Sequence, residues 1–404
     1  MIYRIAERIR HSTRYHFSGI TYKIGVAAIA FGIAAMLIGW MVMLGFQEAI
    51  TTNLTNFSGD FQVTRYTPTP SFEGEGMHKK QLQDLQGKLS TIIEGIYPFA
   101  YKTVLVRTPE GVTGMVCKGV DLHNGTIQLA KYLQKGRLLQ PYQIGVRASH
   151  EVMVSDHAAR RLRLKVGDPL IVHTIGASPR YRKLRVVGVY NTNMAQLEEK
   201  LIFCDLKLIQ GLNNWDTDRV DGYALFVKQR CHLNKAMDTI IDHLGNGLRL
   251  QCTSKTYTAF YNWLTILRKN TFIFNFFILL VASFTIMSIV IIQVMERSHM
   301  MAILRVVGAT NKQIYGLLLY NSLHLLVRGI LIGNFVGIGI GSTQYYFQWM
   351  SLNPQFYYVD HIPIYWSWDI FLGVNLFTFL LTTIVLFITI SFTSKKPIVP
   401  VLVG

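Results

Sequence analysis

"MERSHMMAILRVVGATNKQIYGLLL", Met295 to Leu319, is a short positively charged interruption between two long apolar runs. Upstream of it, Thr271 to Met295 carries no charge; downstream, Ile314 to Phe347 is apolar except for His324 and Arg328. Each run exceeds the roughly 20 residues a helix needs to cross a bilayer. A buried core helix would be shorter and would show one polar face. The quoted stretch therefore reads as a turn on one side of a membrane.

Two further runs fit the same description. Ile24 to Phe46 and Ile370 to Ser394 are uncharged. Charged residues are only 16% of the 404-residue chain, against roughly 25% in an average soluble protein, and mean hydropathy is positive. The expected fold class is a polytopic α-helical membrane protein with four transmembrane helices. Arg4, Arg8, Arg10, Arg14 and Lys23 precede the first run. That run is long for a signal-peptide core and no small-x-small cleavage site follows, so it reads as an uncleaved anchor.

Short loops rich in Lys and Arg stay in the cytoplasm. The N-terminal segment is basic, the loop after the second span has Arg297, Arg305 and Lys312, and the tail has Lys395 and Lys396. The loop from Gln348 to Trp368 has neither. Both termini are expected inside. The expected organisation is a cytoplasmic segment 1–23, span 24–46, outer domain 47–269, span 270–295, cytoplasmic helix 296–313, span 314–347, outer loop 348–368, span 369–394 and cytoplasmic tail 395–404.

The outer domain alternates strand-like runs with turn signals. Asp60–Tyr66, Tyr101–Arg107 and Thr113–Asp121 read as strands, and "EVMVSDHAARRLRLKVGDPLIVHT" reads strand, helix, turn, strand, with Ser155 as N-cap and Val166–Asp168 in the turn. Lys183–Asn191 is a further strand, Leu201–Asn214 a strand followed by a short helix, and Thr67–Gly76 a loop. The domain is α+β and divides into two lobes. It contains no GxSxG, HExxH or paired metal-ligand motif, and the chain has no Walker A loop. Isolated histidines such as His157 and His173 are more often structural or surface residues than catalytic ones. No metal site is expected, because Cys117, Cys204, Cys231 and Cys252 show no CxxC spacing. An oxidising compartment permits disulfides, and whether these cysteines pair stays open. The domain's basic charge suits anionic head groups or an acidic partner as well as it suits a plain solvated face.

Placed on a helix, Glu296 to Val307 aligns Met300, Ile303, Leu304 and Val307 in one stripe, and Arg297, Met301 and Arg305 in another. Gly308 stops the helix, and Thr310 with Gln313 forms a capping box that starts the next. Such a helix offers an apolar ridge and cations to a partner beneath the membrane; an interfacial helix lying on anionic lipid would look the same. In the third span Gly329, Gly333, Gly337 and Gly341 recur every four residues, a face that lets another helix approach closely, though glycine richness alone could produce it. Arg328 sits just before that stripe, as a functional intramembrane cation or one that snorkels to the cytoplasmic edge.

"ERSHMMAILRVVGATNKQI" resembles the segment after the second span in FtsX-like ABC permeases, and one span, a large domain, then three spans is that family's layout. Within it the chain resembles the LolC/LolE-type lipoprotein-releasing permeases. Arg14–Tyr15 through Gly45–Phe46, "MVSDHAARRLRLKVGDPLIV", "YYVDHIPIYWSWDI" (Tyr357–Ile370) and "KKPIVPVL" match family elements in order. The resemblance implies a MacB-like periplasmic domain in the bacterial inner membrane. It implies a permease that is no enzyme, a LolD-like ATPase chain that binds ATP and magnesium, and a second permease copy or paralogue. It implies no cofactor in this chain and no nucleic acid.

The implied substrate is an acylated lipoprotein, drawn from the membrane lipids and passed to a periplasmic LolA-like carrier. Extraction must overcome roughly 0.8 kcal/mol per buried CH2, so an apolar refuge is expected between the first and second spans of opposing chains. Trp40, Met43, Leu44, Phe46, Phe274, Phe277 and Leu280 are candidates to line it, each equally readable as an ordinary lipid-facing side chain. The implied ATPase-coupling element comprises Glu296, Arg297, Met300, Ile303, Leu304, Arg305, Gly308, Ala309 and Thr310. One departure concerns "IGASPRYRKL" (Ile175–Leu184), which is shorter than the carrier-recruiting hook of the LolC type. Peptide export, activation of a cell-wall hydrolase, and a non-transporting receptor are the competing functions.

Overall fold

Hydrocarbon offers no partner to a backbone amide, so an apolar run that crosses it must close its hydrogen bonds within itself. The computed structural model describes residues 17–66, 76–78, 89, 91–108, 111–122, 129–140, 148–175, 180–228, 233–245, 247–296 and 298–394. Its principal helices are α1 (Phe17–Ser58), α2 (Thr258–Glu296), α3 (Ser298–Val306), α4 (Asn311–Phe347) and α5 (Trp368–Ser394). The four helices α1, α2, α4 and α5 are long and apolar enough to cross a membrane. The protein is thus a polytopic membrane protein with a large α/β domain between its first two spans. The chain falls into two compact units, one of residues 1–48, 263–351 and 361–404, the other of 49–262 with 352–360.

In the helical unit, α1 and α4 meet along the glycine stripe. Gly329, Gly333, Gly337 and Gly341 are all buried. A Cβ at Gly329 would lie 2.6 Å from Ile29, and one at Gly333 would lie 2.6 Å from the Ala30 carbonyl oxygen. At Gly337 and Gly341 the nearest atoms belong to Ala34, Leu37 and Met41 at 3.3 Å. Leucine is no more apolar than a lipid tail, so this close approach supplies van der Waals contact that lipid cannot. Two carboxamides add polar attachment between α4 and α5: Asn334 Nδ2 donates to Asn375 Oδ1 at 2.8 Å, and Asn375 Nδ2 donates back at 3.0 Å.

Among the described residues the large unit has, beside a separate pair formed by Met77–His78 and Arg219–Val220, a sheet of ten strands. These are β1 (Phe61–Arg65), β2 (Ile93–Thr108), β3 (Gly111–Val120), β4 (Leu133–Gly136), β5 (Glu151–Ser155), β6 (Pro169–Thr174), β7 (Tyr181–Tyr190), β8 (Leu201–Asp205), β9 (Gly222–Val227) and β10 (Leu248–Cys252). The sheet runs β10-β1-β9-β2-β3-β8-β5-β7-β4, and β6 pairs with both β2 and β7. That double pairing closes β2, β3, β8, β5, β7 and β6 into a ring. Every second residue of each ring strand enters one shared core: Val104 and Val106, Met115 and Cys117, Val152 and Val154, Leu170 and Val172, Leu184 and Val186, Ile202 and Cys204. Side chains fill the ring, as in other small barrels. The strands β10, β1 and β9 extend the sheet beyond β2, and their Phe61, Val63 and Leu225, with Ala236 and Ile240 of the helix Leu233–His243, belong to the same apolar core as the ring, so the described domain is one compact unit and not the two lobes expected.

Local signals act as the sequence suggests. Ser155 Oγ accepts from the Ala158 amide at 3.0 Å and starts the helix Asp156–Arg161. Cys117, Cys204 and Cys252 are free thiols, the first two inside the ring; Cys231 and residues 67–75 lie outside the described residues.

Two features go beyond the sequence reading. Helix α1 continues twelve residues past the expected span end at 46, to Ser58, although "TTNLTNFS" has poor helix propensity. Burial overrides propensity there: Ile50, Leu54 and Phe57, spaced for one helix face, are all buried. Residues 352–360, within the expected outer loop 348–368, pack within the large unit, where Asn193 Nδ2 donates to Asp360 Oδ2 at 2.7 Å and the Phe260 and Tyr358 rings meet edge to face at 5.1 Å.

The end of α1 also covers a buried cation. Lys118 of β3 is 4% exposed, and its Nζ donates to the Phe57 carbonyl oxygen at 2.7 Å. That oxygen is one of the helix's terminal carbonyls, where the macrodipole favours a positive charge. The rings of Phe57, Phe99, Tyr101 and Phe203 stand 5.2 to 5.9 Å from Nζ, so cation–π attraction replaces part of the lost hydration. Burial nonetheless pulls the pKa of Lys118 down to about 7.

Two outcomes follow for the full chain in detergent. Gly333→Ala forces a Cβ onto the Ala30 carbonyl and is expected to lower stability by about 1–3 kcal/mol. Gly339→Ala, with nothing within 4 Å of the added Cβ, is expected to be neutral or to stabilise by up to about 1 kcal/mol; paired thermal melts read both. Unfolded, Lys118 keeps its proton to about pH 10.5, whereas folded it sheds it near 7. Between those values the unfolded state binds more protons, so this group makes stability rise with pH, by at most about 1.4 kcal/mol per unit, and adds no slope below pH 7. Melts from pH 6 to 9 should show that rise in the native chain and lose it in Lys118→Met.

Candidate functional site

Helix α3 owes its sharp boundaries to backbone chemistry. Gly308 takes the left-handed conformation at φ 97°. The Gly308 amide donates to the Arg305 carbonyl at 3.0 Å and the Ala309 amide to the Leu304 carbonyl at 2.9 Å, the Schellman arrangement that satisfies a helix's last carbonyls. Two residues later Thr310 caps α4, and its own amide donates to Gln313 Oε1 at 2.8 Å. A helix that ends on a left-handed glycine and restarts on a capping box turns within Val307–Thr310.

Burial sorts the two stripes. Met301 and Ala302 are buried in the helical core, and Ala309 packs against it. Met300, Leu304 and Arg305 are half-buried, and the Arg305 Nε is buried without a partner among the described residues. Ile303 is 51% exposed, Val306 79% and Val307 80%. Glu296, His299 and Thr310 are exposed as well. The free ridge is therefore Ile303, Val306 and Val307 beside Glu296 and His299, while the line through Met301 and Arg305 turns inward; Arg297 lies outside the described residues. The sequence reading overlooked Val306, which the i, i+3 spacing from Ile303 could have supplied. Three exposed β-branched side chains thus form a compact apolar surface on a short helix.

The residues proposed for an apolar refuge separate in the same way. Trp40 and Leu44 line a cavity of about 480 Å³ with Met36, Phe272, Phe276 and Phe377. Met43 is buried and Phe46 half-buried, whereas Phe274, Phe277 and Leu280 point away from the helical core and are exposed. Arg328 is exposed on α4, beside the glycine stripe. The strands flanking Ile175–Leu184 pair as a tight antiparallel hairpin from Pro169↔Arg185 to His173↔Tyr181; residues 176–179 lie outside the described set.

Four membrane-spanning helices with a large α/β domain between the first two are the frame into which the comparisons with known proteins fit. Residues 24–240 match the MacB-like periplasmic core domain and residues 272–398 the FtsX-like permease C-terminal domain. The chain belongs to the family of ABC permeases that combine these two parts, as a multi-pass, non-catalytic subunit of the bacterial inner membrane. It is 22% identical over 363 residues to the lipoprotein-releasing system transmembrane protein LolE of Haemophilus influenzae, covering 86% of this chain and 85% of that one. It is 18% identical over 373 residues to the corresponding LolC of Neisseria meningitidis serogroup B, covering 88% and 87%. Among solved structures it is similar to the periplasmic region of MacB from Actinobacillus actinomycetemcomitans, at 11% identity and a TM-score of 0.36, covering 50% of this chain and 92% of that one.

Proposed function

We propose that this chain is the membrane subunit of an ATP-driven system that extracts acylated lipoproteins from the inner membrane and hands them to a periplasmic carrier. The observation that carries the reading is the similarity to LolE and LolC over more than four fifths of both chains, rather than over one shared domain. With both termini cytoplasmic, as the Lys and Arg of the short loops require, α3 faces the cytoplasm. A separate ATPase chain, LolD-like in type, seats on Ile303, Val306 and Val307. Its closure on ATP and magnesium pushes α3, which the Gly308 turn and the capping box at Thr310 join to α4. A second permease, a copy or a paralogue, completes the machine.

Work at the far side is set by burial. Each acyl CH2 drawn out of the bilayer costs roughly 0.8 kcal/mol, so extraction needs both the ATPase stroke and apolar side chains to receive the chains. The exposed Phe274, Phe277 and Leu280 of α2 face outward where a second permease would stand, and they supply that surface. The hairpin at Ile175–Leu184 is short, so the carrier docks elsewhere on the large domain or on the second permease.

Depletion followed by membrane fractionation tests the substrate: lipoproteins should accumulate in the inner membrane. Unchanged lipoprotein distribution with reduced peptide efflux would replace this reading by peptide export. The ridge has its own test. Ile303→Asp with Val307→Asp should cut ATPase co-purification at least about tenfold, while Val112→Asp on an exposed position of the large domain should leave it intact. Full retention of the ATPase by the ridge variant would reject α3 as the seat.

A further inference from the structure

The outer face of the glycine seam carries charge that neither the helical core nor the ridge on α3 uses. Helices α1 and α4 run parallel along the seam: Ile29 faces Gly329, Ala30 faces Gly333 and Ala34 faces Gly337. Helix α2 packs on α1 from the opposite side, where a Cβ at Gly25 would meet Ile289 and one at Gly32 would meet Ile278. Helix α5 holds α4 through Asn334–Asn375. One strip on each seam helix is left without a helical neighbour among the described residues. On α1 it is Lys23, Ala27 and Phe31, spaced i, i+4, i+8; on α4 it is Arg328, Leu331 and Phe335, spaced i, i+3, i+7. All of these side chains are exposed, Phe31 at 78% and Phe335 at 81%.

Axial register brings the charged ends of the two strips together. Gly25 lies against Leu325, and Tyr22 Oη is 3.3 Å from His324 Nδ1. Lys23 therefore stands level with His324, and Arg328 stands one turn above them. Lys23 is the last charge before the uncharged run Ile24 to Phe46, which puts the group at the boundary of the hydrocarbon, where lipid phosphates lie. Arg328, one turn inside that boundary, reaches the same plane by snorkelling. Neither Lys23 nor Arg328 has a hydrogen-bond or ion-pair partner among the described residues. Of the carboxylates in the described helical unit, Glu48 and Asp369 stand at the far end of the spans, and Glu296 ends α2, on the other side of α1. Cations with no carboxylate beside them repel an ammonium head group and select a net negative one. The apolar strips above them, Ala27 to Phe31 and Leu331 to Phe335, suit an acyl chain.

We propose that this outer face holds one anionic phospholipid, its phosphate between Lys23 and Arg328 beside the Tyr22–His324 pair and one acyl chain against Phe31 and Phe335. With the termini in the cytoplasm, the lipid belongs to the cytoplasmic leaflet. Binding is non-covalent and separate from any cargo, because the glyceride of an acylated lipoprotein carries no phosphate.

Native mass spectrometry of the full chain, released from nanodiscs of equal phosphatidylglycerol and phosphatidylethanolamine matched in acyl chains, reads the retained lipid. The native chain should keep phosphatidylglycerol in preference, and Lys23→Gln with Arg328→Gln should lower that retention about 5- to 30-fold. Arg268→Gln with Lys269→Gln, a change of exposed cations toward the other end of α2, should leave it unchanged. Phosphatidylglycerol with a diazirine in its acyl chain should label Phe31, Leu331 or Phe335 in the native chain and lose those labels in the first double variant. Equal retention of both lipids by the native chain, equal loss in the two double variants, or acyl labels that persist in Lys23→Gln with Arg328→Gln would overturn the proposal. So would a cross-link between Phe31→Cys of one copy and Phe335→Cys of another that forms in place of lipid labelling, which would make the face a contact between permease chains.

Discussion

In a bilayer the hydrophobic effect cannot distinguish a neighbouring helix from a lipid tail, so everything in the helical unit rests on how closely backbones approach. Along Gly329, Gly333, Gly337 and Gly341 the side chains are gone and α1 occupies their place, with Ile29 and the Ala30 carbonyl at 2.6 Å from where a Cβ would stand. That seam fixes α4, whose first turn is capped immediately after α3 ends. It also fixes the stretch of α1 that carries Trp40 and Leu44. The exposed ridge of α3 and the Trp40–Leu44 wall therefore both depend on one glycine face. The carboxamide pair Asn334–Asn375 ties α5 to the same helix by two hydrogen bonds.

The large unit solves a different problem. In water its strands can rely on apolar burial, and the six-strand ring spends its interior on packed aliphatic and sulfur side chains. Such a ring holds its shape and offers nothing to a ligand within. Its outer surface is where polar and charged groups are set, among them the Arg137–Glu151 and Arg161–Glu199 ion pairs. Among the buried charged side chains is Lys118, placed under the end of α1, where a helix's last carbonyl and four ring faces hold it. The ring itself is sealed by β6, a six-residue strand that pairs on both sides.

Much of this was legible in the chain because it follows from local periodicity. Uninterrupted apolar runs gave the spans, the four-residue glycine spacing gave the close face, and Ser155, Gly308 and Thr310 marked helix ends by side-chain or backbone chemistry that acts within a few residues. What escaped depended on distant partners. Ring closure needs β6 to find β2 some seventy residues earlier. The helicity of Thr51–Ser58 comes from burial of Ile50, Leu54 and Phe57, against local preference. Which face of α3 is exposed is decided by the core that takes Met301 and Ala302, so Arg305, which looked outward from sequence alone, is half-buried.

Residues 352–360 belong to the large unit although two membrane spans separate them from its main body. During synthesis this unit therefore stays incomplete after Asn262 has emerged. The ribosome must make roughly a hundred more residues, those of α2 and α4 among them, before Tyr358 and Asp360 can reach Phe260 and Asn193. Completion of the aqueous part is thereby made contingent on synthesis of the lipidic part.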